Sequence, residues 1–105
     1  MRVVAITACP TGIAHTYMAA DKLTETAKKL GITIKVETQG AMGIENRLTE
    51  QDVERADIVI LAADINIEQS DRFANRRCLE VSIEEALKHP RRVLSQCQQL
   101  LLAHH

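Results

Sequence analysis

The sequence predicts an α/β fold: a small, doubly wound, four-stranded parallel sheet in the order 2-1-3-4, with helices on both faces. Short apolar runs alternate with segments of helical periodicity along the chain, which is the pattern of strands joined by helical crossovers. The runs are apolar almost throughout, as expected for strands that are covered on both faces. A chain of 105 residues is sufficient for one domain, and we expect residues 1–105 to form it.

The first half of the chain contains two predicted strands and a predicted helix. Residues 3–8 begin with the apolar run VVAI and predict strand 1. Residues 17–30 predict a helix that ends at Gly31, a common helix stop. Residues 32–36 alternate apolar and polar side chains and predict strand 2, which is followed by the long loop TQGAMGIENRL. The apolar face of the predicted helix comprises Ala20, Leu23, Ala27 and Leu30.

The middle of the chain contains the remaining predicted strands. A short helix capped by Thr49, with Asp52 three residues later, is expected first. Residues 56–63, ADIVILAA, form the most apolar run and predict a central third strand. Residues 67–73 predict another short helix, and residues 78–81 predict a brief fourth strand.

The last part of the chain is predicted to be helical. Ser82 and Glu85 have the spacing of a capping box and predict the start of a helix. Pro90 interrupts that helix, and a final helix is expected after it. Its apolar stripe comprises Val93, Leu94, Cys97, Leu100 and Leu101.

The composition argues against several classes of function. Thirteen basic and fourteen acidic residues give a net charge of −1, which offers no electrostatic footprint for nucleic acid. No apolar run approaches the roughly 20 residues that span a bilayer, so we expect a cytoplasmic protein without direct membrane insertion. The three cysteines lie far apart in the sequence and form neither a CxxC pair nor a zinc-ligand spacing. We therefore expect neither a metal nor another cofactor.

The stretch ACPTGIAHTY, residues 8–17, carries the candidate site. In a doubly wound sheet, sites lie beyond the carboxyl ends of the strands at the switch in strand order, which here is next to strand 1. Main-chain N–H groups at the start of a helix form a cradle for an anion, and the helix dipole adds positive potential. The same field favours the nucleophilic thiolate of Cys9. The candidate phosphate-binding residues are Thr11, Gly12, Ile13, Ala14, His15 and Thr16.

Several alternatives remain open for this loop. Cys9 could be an inert packing residue, which is the role that we expect for Cys78 and Cys97. A small cysteine phosphatase also forms phosphocysteine, but its Cys-x5-Arg loop has arginine where this chain has His15. A non-enzymatic regulator that binds phosphorylated proteins would need the anion cradle without the thiol. A thiol redox protein would need a resolving cysteine, and none lies near Cys9 in the sequence.

Polar residues at other strand ends are weaker candidates. Gln39 and Gly40 follow strand 2 and could border the site, although Gly40 and Gly43 could equally serve only in turns. Asp64 ends strand 3, and we expect a structural role for it because an anion beside a phosphate is unfavourable. Three arginines could contact an acidic partner, but arginines on a surface are usually only solvated: Arg72, Arg76 and Arg77.

Long motifs in the sequence resemble the fructose-specific IIB domains of the bacterial sugar phosphotransferase system. The stretch TACPTGIAHTYMAAD resembles their active-site loop, and the similarity continues in VETQGAMGIENRLT and ADIVILAADINI. The tripeptide DRF, residues 71–73, also fits. The resemblance extends from residue 3 to roughly residue 85. It departs from the family after Phe73, where residues 74–77 stand in place of a frequent Gly-Lys pair.

The resemblance implies a phosphoryl carrier without a cofactor. A phosphohistidine on a IIA-type donor domain would transfer its phosphoryl group to Cys9, with residues 11–16 as the phosphate loop. The group would then pass to a sugar, fructose or a relative, bound by a membrane IIC permease. Many members of the family are fused to IIA or IIC domains, whereas we expect this chain to stand alone.

Overall fold

The computed structural model describes residues 1–10 and 13–103 and shows an α/β fold. In the described residues, the strands are β1 (Arg2–Ala8), β2 (Thr33–Gly40), β3 (Gly43–Glu45), β4 (Ile58–Ala63) and β5 (Cys78–Val81). The helices are α1 (Ile13–Lys29), α2 (Glu50–Arg55), α3 (Ile83–Lys88) and α4 (Pro90–Ala103), with a 3₁₀ helix at Ser70–Phe73.

The sheet has the order β3-β2-β1-β4-β5. The predicted strands 1 to 4 correspond to β1, β2, β4 and β5, which pair in parallel. The prediction of a purely parallel four-stranded sheet was wrong, because β3 adds a fifth strand that pairs antiparallel with β2 at the sheet edge. The mixed sheet leaves β1 at its centre, between β2 and β4.

The missed strand arises from the segment that the sequence analysis assigned to a loop. Strand β2 continues to Gly40, four residues past its predicted end at Val36. The chain then reverses, and Gly43 pairs with Gly40. Gly43 has a φ of 89°, a conformation that side-chain-bearing residues seldom adopt. The two glycines therefore flank a tight turn between β2 and β3. Hydrophobic periodicity does not predict such a turn.

Helices α2 and α3 begin directly after the capping residues that the sequence predicts. In α2 the predicted cap Thr49 accepts from the Asp52 N–H, and the Asp52 side chain accepts from the Thr49 N–H. Ser82 likewise accepts from the Glu85 N–H and starts α3. Helix α4 begins at Pro90, because proline fits the first turn of a helix, where its missing N–H is not needed. Helix α1 starts at Ile13, earlier than the predicted residue 17.

Each face of the sheet covers its own apolar core. Helices α1, α3 and α4 pack on one face, where Leu23, Ile60 and Leu94 are completely buried. On the opposite face α2 and the 3₁₀ helix enclose a smaller core around Ile6 and Phe73. Leu23 and Ala27 of the predicted helix face are completely buried, Ala20 and Leu30 are partly buried against the same core, and Ala19 is also completely buried.

The smaller core contains a buried ion pair. Glu37, in β2, has no exposed side-chain surface, and its two carboxylate oxygens accept from the Arg72 guanidinium at 2.9 Å each. The Leu48 N–H also donates to Glu37, at 2.8 Å. Burial alone would raise the pKa of Glu37, but these donors and Gln39 outweigh it and lower the pKa. The 3₁₀ helix is thereby fastened to β2.

The amino ends of the parallel strands form the edge of the sheet opposite Cys9. Met1 and Leu101, near the two ends of the described chain, line one open cavity there with Ile58 at the start of β4. No helix within residues 1–10 and 13–103 has the length and apolar character that crossing a membrane requires.

Replacing Arg72 by Met should destabilise the fold strongly, because it leaves the buried Glu37 carboxylate without its cationic partner. Breaking such a pair on one side costs about 3–5 kcal/mol of unfolding free energy. Urea denaturation at neutral pH measures the change. Lys88→Met is the matched control, since Lys88 pairs with Glu84 on the surface and its loss should barely move the midpoint. Equal midpoint shifts for the two variants would contradict the conclusion that the Glu37–Arg72 pair stabilises the fold.

Stability should fall in acid through Asp52. The bond from Lys35 and the Thr49 N–H lower the pKa of Asp52 to about 2, below its ordinary value of 3.8. A carboxylate with a depressed pKa stabilises the fold above its unfolded pKa, and this contribution disappears as the pH falls through the folded value. The stability difference between wild type and Asp52→Asn should therefore be full above pH ~5 and disappear only below pH ~2. Chemical denaturation across this range measures it, and a constant difference would contradict the prediction.

Candidate functional site

The candidate site lies at the carboxyl end of the central strand. Cys9 follows β1 directly and is half-buried, packed at the margin of the larger core. Ala8, the residue before it, is paired with Gln39 of β2 on one side and Ala63 of β4 on the other. The Cys9 thiol is therefore at the topological switch point of the sheet, where parallel α/β folds place their ligand sites.

Helix α1 begins four residues after Cys9. Its first turn contains no acidic side chain, and the N–H groups at a helix start carry partial positive charge. The Thr7 hydroxyl donates to the Thr16 carbonyl at 3.0 Å and ties this turn to β1. The arrangement holds positive potential beside the cysteine, which suits an anion.

The candidate phosphate-loop residues occupy different environments. Thr11 and Gly12 lie outside the described residues, and Ile13 begins α1. Ala14 and His15 are exposed, whereas the Thr16 side chain is completely buried. The structure thus presents His15 at the surface of the helix start, and it places Thr16 in the interior against β1.

The second candidate group, Gln39 and Gly40, ends β2 beside Cys9. A Cβ atom on Gly40 would lie 3.5 Å from the Tyr17 hydroxyl, an ordinary van der Waals contact, so Tyr17 of α1 packs against the end of β2. The Tyr17 hydroxyl donates to the Glu45 carboxylate. Because Glu45 belongs to β3, the β2–β3 hairpin is fastened to the start of α1.

Gln39 is buried and makes three side-chain hydrogen bonds. Its Oε1 accepts from the Glu68 N–H at 2.7 Å, and its Nε2 donates to the Glu68 carbonyl at 3.0 Å. The same Nε2 donates to Glu37 at 2.9 Å. Gln39 thereby connects the buried ion pair of Glu37 to the chain that follows β4.

Asp64 lies at the same edge of the sheet as Cys9 but has a structural contact, whereas two of the arginines lie at the opposite edge. The Asp64 carboxylate accepts from the Ile83 N–H at 3.4 Å, at the start of α3, in agreement with the structural role expected for it. Arg76 and Arg77 line the cavity at the opposite edge of the sheet. Arg72 is the exception to the expectation of solvated arginines, because it pairs with the buried Glu37.

The other cysteines differ from Cys9 in their surroundings. Cys97 lies in the larger core, and burial raises the pKa of its thiol to about 12. Burial, with a smaller effect of Glu80, also raises the pKa of Cys78, whose thiol donates to the Arg76 carbonyl. Both thiols are held in the unreactive protonated form, as expected for packing residues.

Glu37 and Tyr17 are two residues of this region whose roles the sequence analysis missed. Glu37 lies on the polar face of the alternating β2 pattern, one residue past the predicted end of the strand. A strand that is flanked on both sides in a mixed α/β sheet is covered on both faces, so a charge there requires a buried partner. The tripeptide DRF offered that partner in Arg72, but a single sequence does not pair the two positions.

The comparison with family models gives one decisive match. The model described as "PTS system, Lactose/Cellobiose specific IIB subunit" matches residues 4–96. The chain belongs to the IIB family of the phosphotransferase system. The suspected family is thereby confirmed, and the chain is a phosphotransferase component of sugar transport.

Similar proteins assign this IIB component to the fructose type. It is 47% identical over 97 residues to the "PTS system fructose-like EIIB component 2" of Escherichia coli, covering 92% of each chain. It is 48% identical over 93 residues to the "PTS system fructose-specific EIIABC component" of Bacillus subtilis, covering 89% of this chain and 14% of that longer protein. A solved domain of the fructose-specific IIABC component of Borrelia burgdorferi is 46% identical, with a TM-score of 0.87 and 91% of each chain covered.

Titration of Tyr17 should report on the hairpin contact. The hydrogen bond to Glu45 and, to a lesser degree, burial raise the pKa of Tyr17 above its ordinary value of 10.0. Tyr17 is the only tyrosine in the sequence, so ultraviolet absorbance of phenolate measures it without interference. The Glu45→Gln variant should titrate at lower pH than wild type, because the carboxylate no longer opposes phenolate formation. Superimposable titration curves would rule out this contact in solution.

Proposed function

We propose that Cys9 is the residue of this IIB component that carries the phosphoryl group. The observation that carries the proposal is the half-exposed position of Cys9 at the switch point of the sheet, next to a helix start without acidic residues. A transferable group needs a nucleophile that a partner can reach, and Cys97 is completely buried. The 1–105 chain would act as a single carrier domain.

The first step accepts a phosphoryl group from a phosphohistidine of a IIA-type donor. The Cys9 thiolate attacks phosphorus, an S–P bond forms, and the N–P bond to the donor imidazole breaks. Three phosphoryl oxygens then face the start of α1, where main-chain N–H groups of residues 11–16 donate to them and the helix dipole lowers the energy of the dianion. Positioning and charge stabilisation are the main demands of phosphoryl transfer.

The second step passes the group to a sugar bound by a membrane IIC permease. A sugar hydroxyl attacks phosphorus, the S–P bond breaks, and Cys9 leaves as thiolate while the hydroxyl proton is released. The name of the Bacillus subtilis relative combines A, B and C parts in one chain, which supports IIA-type and IIC-type partners here. Fructose or a related sugar follows from the names of the relatives.

The position of His15 disfavours a phosphatase. A phosphatase loop holds its transition state with a bidentate guanidinium, and this chain has an exposed imidazole at that position. Arg72, which contacts β2, is already committed to Glu37. A carrier must also keep its phosphocysteine from water, so rapid turnover of an aryl phosphate by this chain would favour the phosphatase instead.

Intact-mass analysis after incubation with a phosphorylated IIA domain tests the proposal. The IIA part of the Bacillus subtilis relative serves as the donor. Wild type should gain the mass of one phosphoryl group, and Cys9→Ala should gain none because it lacks the nucleophile. Cys78→Ala is the matched control and should be labelled like wild type. A label that survives in Cys9→Ala, or no label on folded wild type, would overturn the assignment of Cys9.

A further inference from the structure

A short stretch of chain passes the end of the central strand beside Cys9. We call residues 64–68 the crossing segment. It starts at Asp64, whose N–H donates to the Ala8 carbonyl at 3.3 Å. Four residues later both main-chain polar groups of Glu68 are bonded to the Gln39 side chain. Since β1 lies between β4 and β2, the crossing segment runs from one neighbour of β1 to the other, past Ala8.

The face on which this crossing occurs follows from the strand register. Ala8 and Gln39 are paired in neighbouring strands, so their side chains lie on the same face of the sheet. Ala8 is completely buried, and a larger side chain would meet the Gln39 amide or the crossing segment. The Gln39–Glu68 contact therefore lies on the face of the sheet to which Ala8, the residue before Cys9, points.

The contact with Glu37 fixes the orientation of the Gln39 side-chain amide. Its Nε2 faces the Glu37 carboxylate at 2.9 Å, and only an N–H₂ group is favourable against that acceptor. The amide oxygen is consequently turned toward the Glu68 N–H. Arg72 holds Glu37 with two bonds, so a continuous series of bonds leads from Arg72 to the crossing segment.

We infer that Gln39 is a positioning residue for phosphoryl transfer at Cys9: it fixes the crossing segment, which is bonded to the Ala8 carbonyl and so holds the end of β1 that carries Cys9. The inference rests on the proposed role of Cys9. Gln39 acts through the crossing segment and the end of β1, without touching the phosphoryl group.

The test compares Gln39→Met with wild type in three measurements. Met fills a similar volume but makes none of the amide bonds, and Glu37 keeps Arg72 and the Leu48 N–H as partners. Hydrogen exchange should show loss of protection at the Glu68 amide. The maximal rate of phosphoryl transfer from the IIA donor should fall by about tenfold or more with an unchanged KM for the donor, since small misplacements of reacting groups are costly. Alkylation of Cys9 by iodoacetamide should become faster.

A control separates positioning from general loss of stability. Val59→Ala removes buried apolar volume near the amino end of β4, far along the strand from Cys9. It should lower the unfolding midpoint but retain wild-type transfer and alkylation rates. If Gln39→Met does not fold, Gln39→Asn replaces it, because that amide is one methylene too short to reach Glu68.

The outcomes are distinct for the two proposals. Unchanged transfer and alkylation rates in a Gln39 variant that has lost Glu68 protection would overturn the positioning role. Equal rate losses in Val59→Ala would overturn it as well. If wild type accepts no phosphate from the donor, the proposed function fails, and the alkylation and exchange measurements still decide whether Gln39 positions Cys9.

Discussion

The carboxylate of Glu37 is the constraint on which this half of the structure depends. It lies in the smaller core with no exposed surface, where an uncompensated charge is far too costly to persist. Its donors come from three separate parts of the chain: Arg72 after β4, Leu48 before α2 and Gln39 within β2. Satisfying one buried charge thus fixes the relative positions of the segments beneath the central strand.

The fold places the three cysteine thiols in two kinds of environment. Cys97 and Cys78 are kept protonated by burial, whereas Cys9 is placed where the sheet ends and a long helix begins. Position within the architecture, and not the identity of the flanking residues alone, therefore separates a candidate nucleophile from packing residues. Membership in the IIB family agrees with that separation.

Elements with a periodic residue pattern or a local cap could be predicted from the sequence. Contacts that depend on one partner far away in the chain could not. Periodicity and caps identified the four parallel strands and the starts of α2 and α3, because each depends on residues close in the chain. Strand β3 was missed because it depends on a turn at Gly43. Arg72 was expected to be solvated, because its partner Glu37 lies 35 positions away and nothing in the local pattern marks that pairing. The place of Cys9 was inferred from topology, a global property that the strand order supplied.

The cavity shared by Met1 and Leu101 lies at the edge of the sheet remote from Cys9. Polypeptide attached at either end would leave the molecule from its far side and would not have to fold back over the thiol. In relatives whose names join the B part to A and C parts, linkers attached at this edge would not cover the edge of the sheet that carries Cys9, whatever their length. For the carrier proposed above, attachment at that edge leaves the Cys9 end of the sheet unobstructed.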